Sequence, residues 1–319
     1  MAKLKLTLAM DQYDFLQPLR SGEIAAEGLD IEWITMGSKQ RHDRMYHERA
    51  FDACEFSMAG YLIARSRNIE WLDAIPFFSR RMFGHHFCFV RAGSPYAKPS
   101  DLKGGRIGIR TYENTLAVMV KGMFAHDYGL PVESVTWVCV NNELVGTHPP
   151  PTIRVEQLEQ GRKLEDMLIA GEIDAMVEPA LPQSWLAGKS TLARLFPDFQ
   201  KAEQDYYRRT RIFPIMHPIV IRKDVLERAP WVARSLFDAL CESQRRYTEF
   251  MQQPHRLSFA WAASYLEQER AIFGGSPYPQ GLAANRHDLQ AVIQFAEEQG
   301  LLDRPLTPDE LFPENLTRT

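Results

Sequence analysis

The chain has 319 residues, long for one hydrophobic core and suited to two domains of ordinary size. A hydrophobic content of 45%, 24% charged residues and a net charge of -4 describe a soluble globular protein. Without clustered Lys and Arg they exclude nucleic acid as the partner. No apolar segment is long enough to span a bilayer, so a membrane is excluded as well. The start, Met1-Ala-Lys-Leu-Lys-Leu6, already alternates as a strand and carries no apolar h-region or cleavage site, which predicts a cytoplasmic location.

Lys3 to Met10 alternates as a strand, and Asp11 to Leu16 opens a helix that ends at Ser21-Gly22. Gly28 to Ile34 is a second strand, Gln40 to Glu48 a polar helix, and Phe51-Asp-Ala-Cys-Glu55 a short third strand. That strand runs into Ser57 and the helix Met58 to Arg65. Such alternation predicts a parallel sheet covered on both faces. Trp71 to Phe78 adds a strand, and His85-His-Phe-Cys-Phe-Val90 another with histidine at its start.

A second βαβ lobe begins near residue 90. It has a glycine-stopped turn at Ser100 to Gly105, a strand at Arg106 to Arg110 and an apolar helix at Asn114 to Phe124. A strand follows at Ser134 to Val140, then the stiff loop Thr147 to Thr152, a helix at Lys163 to Ala170 and a strand at Ile173 to Val177. The helix Phe199 to Arg209 leads into the apolar run Arg211 to Arg222, whose central polar side chain is His217. Pro214 and Pro218 flank Met216-His217 and remove two backbone donors, which suits a connecting or edge strand.

From Asp224 onward the chain is helical, with amphipathic segments at Trp231 to Met251, Phe259 to Ala271 and His287 to Gly300 that are expected to pack back on the first lobe. The reading is α/β with two hinge crossovers: residues 1–88 and 223–319 form lobe 1, residues 89–222 lobe 2, and a ligand cleft lies between them at the carboxyl ends of the strands. This is the periplasmic-binding-protein type II architecture. Cys54, Cys88, Cys139 and Cys241 are widely spaced in apolar surroundings and read as free thiols of a reducing compartment.

Several stretches together resemble the 4,5-dihydroxyphthalate decarboxylase family: Phe51 to Arg65, Leu102-Lys-Gly-Gly-Arg-Ile-Gly-Ile109, Ile173-Asp-Ala-Met-Val-Glu-Pro179, Arg208 to His217, and Pro230 to Leu236. The resemblance runs nearly end to end, through Tyr278-Pro-Gln-Gly281 and Asp309-Glu-Leu-Phe312. It implies loss of one carboxylate from a dihydroxylated aromatic dicarboxylate, the small aromatic carboxylate being the partner. A non-catalytic solute-binding or sensor protein with the same cleft is the alternative. Whether the chain forms a homo-oligomer stays open.

That reaction needs an acid to protonate the ring carbon, a group to polarise the phenol and cations for the carboxylates, and no electron-sink cofactor. His217 is the first candidate acid/base and His85 the second; alternation puts His86 on the opposite face. Glu55, at the end of its strand, is a base or phenol partner, or pairs with an arginine. Ser57 and Thr115 stand at helix starts and Arg110 before one, which suits carboxylate binding. Arg81 is a further cation, with Arg80 beside it. Asp11 and Tyr13 follow the first strand, where Tyr13 could stack on an aromatic ring, and Glu178 could touch a phenol. A divalent metal on His85, His217 and Glu55 or Glu178 is the minority alternative, because no HxH or HExxH spacing supports it. His42, His47, His126 and His148 lie in polar segments and are expected at the surface.

Overall fold

A computed structural model describes residues 3–319, so Met1 and Ala2 of the N-terminal strand reading lie outside the described residues. The first part of the chain forms β1 (Leu4–Ala9), α1 (Gln17–Arg20), β2 (Leu29–Ile34), α2 (Ser38–Glu48), β3 (Ala53–Glu55), α3 (Met58–Ser66) and β4 (Leu72–Arg81). The second lobe follows with β5 (Cys88–Arg91), β6 (Arg106–Ile109), α4 (Thr115–Tyr128), β7 (Thr136–Cys139), β8 (Arg154–Gln157), α5 (Leu164–Ala170), β9 (Ala175–Val177), α6 (Gln183–Leu186), β10 (Leu192–Arg194) and α7 (Phe199–Thr210). The chain then returns through β11 (Ile215–Arg222) to α8 (Lys223–Arg228), α9 (Trp231–Met251), α10 (Ala262–Phe273) and α11 (Leu282–Glu298).

Two sheets result, with strand orders β2-β1-β3-β11-β4 and β10-β5-β9-β6-β7-β8. Both are mixed rather than purely parallel. In the first, β11 runs antiparallel to β3 and β4; in the second, β5 is antiparallel to β9 and β10. The strands β8 and β10 carry no apolar alternation in the sequence, and the expected array lacked both.

β11 is not an edge. It sits inside the first sheet, so the chain has re-entered lobe 1 before Ile215, ahead of the expected boundary at residue 222. Its Pro218 is tolerated because the ladder against β4 slips beside His217 and Pro218, and Pro218 still accepts a bond from the Phe56 N–H. An irregularity of this kind re-aims the side chain it carries.

Three other expectations shift. The helix after β1 starts later than Asp11, since Tyr13 is extended and the first turn is a 3-10 turn at Asp14–Leu16. His85 opens a 3-10 turn, His85–Phe87, and β5 begins only at Cys88. The C-terminal helices also reach past the first lobe: the Phe295 ring of α11 rests where a Cβ on Gly122 of α4 would be, and Gln299 Nε2 donates to the Val118 carbonyl. The largest apolar cluster accordingly runs from Phe56 and Tyr61 in lobe 1 through Leu116, Phe124 and Trp137 in lobe 2 to Leu289 and Val292 of α11.

Candidate active site

Four segments meet at one place: the tail of β3, the bulged centre of β11, and the N-termini of α3 and α4. Glu55 closes β3 with a fully buried carboxylate whose two oxygens take four donors. Oε1 accepts from the Tyr13 hydroxyl and from His217 Nδ1, each at 2.5 Å. Oε2 accepts from the Asp11 N–H and pairs with Arg41 Nη2, each at 2.9 Å. Burial would raise the Glu55 carboxyl, but His217, Arg41 and Tyr13 outweigh it and hold it well below the usual carboxylate range.

Because every partner of Glu55 must donate, we assign the His217 proton to Nδ1. Desolvation lowers the His217 pKa and Glu55 only partly offsets this, so the ring is neutral near pH 7. Its Nε2 finds no protein hydrogen-bond partner among the described residues and opens on the cleft.

The cleft is a cavity of about 200 Å³ between the lobes. Ser57 caps α3, its Oγ accepting from the Gly60 N–H, and the same hydroxyl meets Thr115 Oγ1 of α4 at 3.0 Å across the lobes. Thr115 also accepts from the Ala59 N–H. Two helix N-termini thus converge beside His217, and both favour a bound anion. Lys39, Arg80 and Arg110 add cations: Lys39 is paired with Asp43 and Arg110 with Glu178, while Arg80 has no acidic partner among the described residues. Arg80 stands opposite His217 in the β4–β11 ladder.

Of the residues expected at the site, the fold gathers His217, Glu55, Ser57, Thr115 and Arg110 around the cleft, with Glu178 holding Arg110. Asp11 takes part through its backbone N–H only, and Tyr13 approaches Glu55 from the side away from the cleft.

His85 lies elsewhere. It is enclosed by Tyr128, Phe196 and Tyr206, its Nε2 bonded to the Tyr128 hydroxyl, and desolvation lowers its pKa to about 3. The 3-10 turn carries the side chain into the second-lobe core instead of the cleft, so His85 and His217 share no site and the metal set built on both is not assembled. Arg81 also turns away, donating to Asp288 and to the Phe213 carbonyl, because alternation along β4 aims Arg80 and Arg81 to opposite faces. Among the described residues no group of three or more His, Cys, Asp or Glu is gathered as for a metal ion.

Sequence reasoning missed Arg41, His42 and Glu113. Arg41 and His42 are buried, and His42 stands edge-on to His217 with ring centroids 5.0 Å apart and its Nε2 unpartnered. The one signal in that polar helix is Met45, one turn beyond Arg41 and buried on the same side. Glu113 is 2% exposed at the lobe-2 wall of the cleft. Its Oε1 accepts from the Leu144 and Val145 N–H groups while Oε2 is unpartnered. Burial, with the neighbouring Glu143, pushes its pKa up to about 7.

The two lobes and the cleft at their strand ends are the fold of the periplasmic binding proteins. The periplasmic aliphatic sulphonate binding protein SsuA from Escherichia coli matches over 100% of both chains with a TM-score of 0.57 at 12% identity. No protein-family model matches the chain. The chain belongs to the 4,5-dihydroxyphthalate decarboxylase family. It is 28% identical over 320 residues to the Comamonas testosteroni 4,5-dihydroxyphthalate decarboxylase, spanning 98% of this chain and 97% of that one. To the Pseudomonas putida 4,5-dihydroxyphthalate decarboxylase it is 30% identical over 214 residues, 65% of this chain and 83% of the relative.

Proposed function

We propose that the protein is a carboxy-lyase that converts 4,5-dihydroxyphthalate to protocatechuate and CO2 without redox change. The observation that carries this reading is the Glu55–His217 pair, a neutral imidazole held by a buried carboxylate with Nε2 facing a cleft of cations and helix N-termini. Arg80, Arg110 and the Ser57–Thr115 end of the cleft hold the two carboxylates. His217 Nε2 takes the proton of the hydroxyl para to the departing carboxylate, and the Glu55 charge stabilises the imidazolium so formed. Electron density pushed into the ring lets the carbon bearing the carboxylate accept a proton. The C–C bond then breaks, its electron pair restores the aromatic ring, CO2 leaves and His217 returns the phenol proton.

The base and the acid must act at opposite ends of the ring. Glu113, from the other lobe, with its pKa pushed up to about 7 by burial and the neighbouring Glu143, is the acid that fits. The ring hydroxyl supplies the electron push, so the chemistry requires no electron-sink cofactor.

The test is to incubate the purified protein with 4,5-dihydroxyphthalate and follow CO2 and protocatechuate. Turnover supports the reading. Tight binding without turnover overturns it in favour of a solute-binding or sensor protein.

A further inference from the structure

A second cavity of about 610 Å³ lies on the other side of Glu55. Its walls are the turn after β1, the end of β4, the last turns of α9, the helix α10 and the loop 274–278. Six aromatic rings are in the lining, among them Tyr13 and Phe15, which stack at 5.1 Å with 13° between their planes, and Phe259, Tyr265 and Tyr278 on the C-terminal side; the carboxylates there are Asp14, which accepts from the Tyr247 hydroxyl, and Glu269. The size falls within the range of small-molecule pockets, roughly 300–1,000 Å³.

Two features tie this chamber to the cleft. Arg80 lines both cavities and has no acidic partner among the described residues; of the chamber's other cations, Arg81 is already neutralised by Asp288, and Arg270 of α10 is unpaired among the described residues but does not reach the cleft lining. The hydroxyl of Tyr13, a chamber residue, donates to Glu55 Oε1, the same oxygen that receives His217 Nδ1 on the cleft side. An unpaired guanidinium at the edge of a ring-lined chamber fits an aromatic ring bearing a carboxylate.

We propose that the chamber is a second binding site for a single-ring aromatic carboxylate, and that its occupant draws Arg80 away from the cleft and weakens binding there. One guanidinium fork presents its paired donors to one carboxylate at a time, so the two sites are coupled negatively and reciprocally.

The experiment is a calorimetric titration with phthalate, which keeps both carboxylates and lacks the hydroxyls that turnover requires. Because it reads binding alone, its result stands or falls apart from the decarboxylase reading. The wild type is expected to bind two equivalents. Leu266→Trp fills the chamber from α10 without touching the cleft lining, and is expected to bind one equivalent, about fivefold or more tighter than the cleft of the doubly occupied wild type. Thr248→Trp, filling the chamber from α9, is expected to do the same and guards against a folding artefact at either position. One equivalent in the wild type, two equivalents in both filled variants, or loss of all binding in both folded variants overturns the second site. Loss of one equivalent with no tightening of the other overturns the coupling.

Discussion

Glu55 and His217 stand 162 positions apart, yet Oε1 of one and Nδ1 of the other meet at 2.5 Å beside the short antiparallel ladder of β3 and β11. The contact sets the tautomer of the histidine, and with it the group presented to the cleft. Replacing His217 by Ala is expected to lower kcat by about 10²- to 10⁴-fold with the circular dichroism spectrum unchanged. A variant with wild-type kcat removes His217 from the mechanism.

The pH dependence follows from two groups of opposite requirement. His217 must be neutral to act as base, and its pKa is lowered from the usual 6.5 by burial, so activity falls only when the pH drops below that value. Glu113 must carry a proton to act as acid, so activity falls as the pH rises through about 7. The kcat/KM profile is therefore expected to be bell-shaped, with its alkaline limb near 7 and its acid limb below 6.5. In Glu113→Gln the residual activity is expected to lose that alkaline limb. A limb that stays in place assigns it to another group.

Glu55 acts through His217 and is a positioning residue. In Glu55→Gln the charge that raises the histidine pKa is gone, so the acidic limb is expected to move to lower pH along with a fall in kcat. An unshifted limb contradicts the pairing in solution.

Arg41 has no exposed side-chain surface and donates to the Glu55 carboxylate, the Glu55 carbonyl and the Met36 carbonyl. Arg41→Met leaves a buried carboxylate short of a counter-charge, and urea denaturation is expected to show a loss of about 3–5 kcal/mol. A loss under about 1 kcal/mol, the scale of exposed pairs, contradicts the burial of this pair.

The contact of α11 with α4 is equally open to test. A Cβ on Gly122 meets the Phe295 ring at 2.3 Å, so Gly122→Ala is expected to destabilise the protein by about 1–3 kcal/mol. Adding Phe295→Leu is expected to recover part of that loss; strictly additive effects contradict the contact.

Much of the fold was legible because apolar periodicity and cap residues are local signals. Ser57 before an apolar helix marks an N-terminus by its side chain alone, and its Oγ accepts the cap bond from the Gly60 N–H. Glu55, Ser57 and His217 were legible for a related reason: each stands where a strand ends or a helix starts, or alone in an apolar run, and the family resemblance covers all three.

The rest was not written locally. His85 and His217 look alike in sequence, each a histidine in an apolar strand-like run. A 3-10 turn sends the first into a cage of Phe196 and the two tyrosines, and a β-bulge turns the second toward Glu55. Arg41 and His42 lie in a helix with one buried apolar residue, so no periodic stripe marks their face as inward; Glu55, supplied from another element, makes Arg41 tolerable in the interior. By itself the sequence determined the order of the elements other than β8 and β10, the two lobes and the histidine most worth testing, since these follow from residue pattern and resemblance. Only the tertiary structure decided which polar side chains are buried together, because the cost of burying a charge depends on partners that distant segments bring to it.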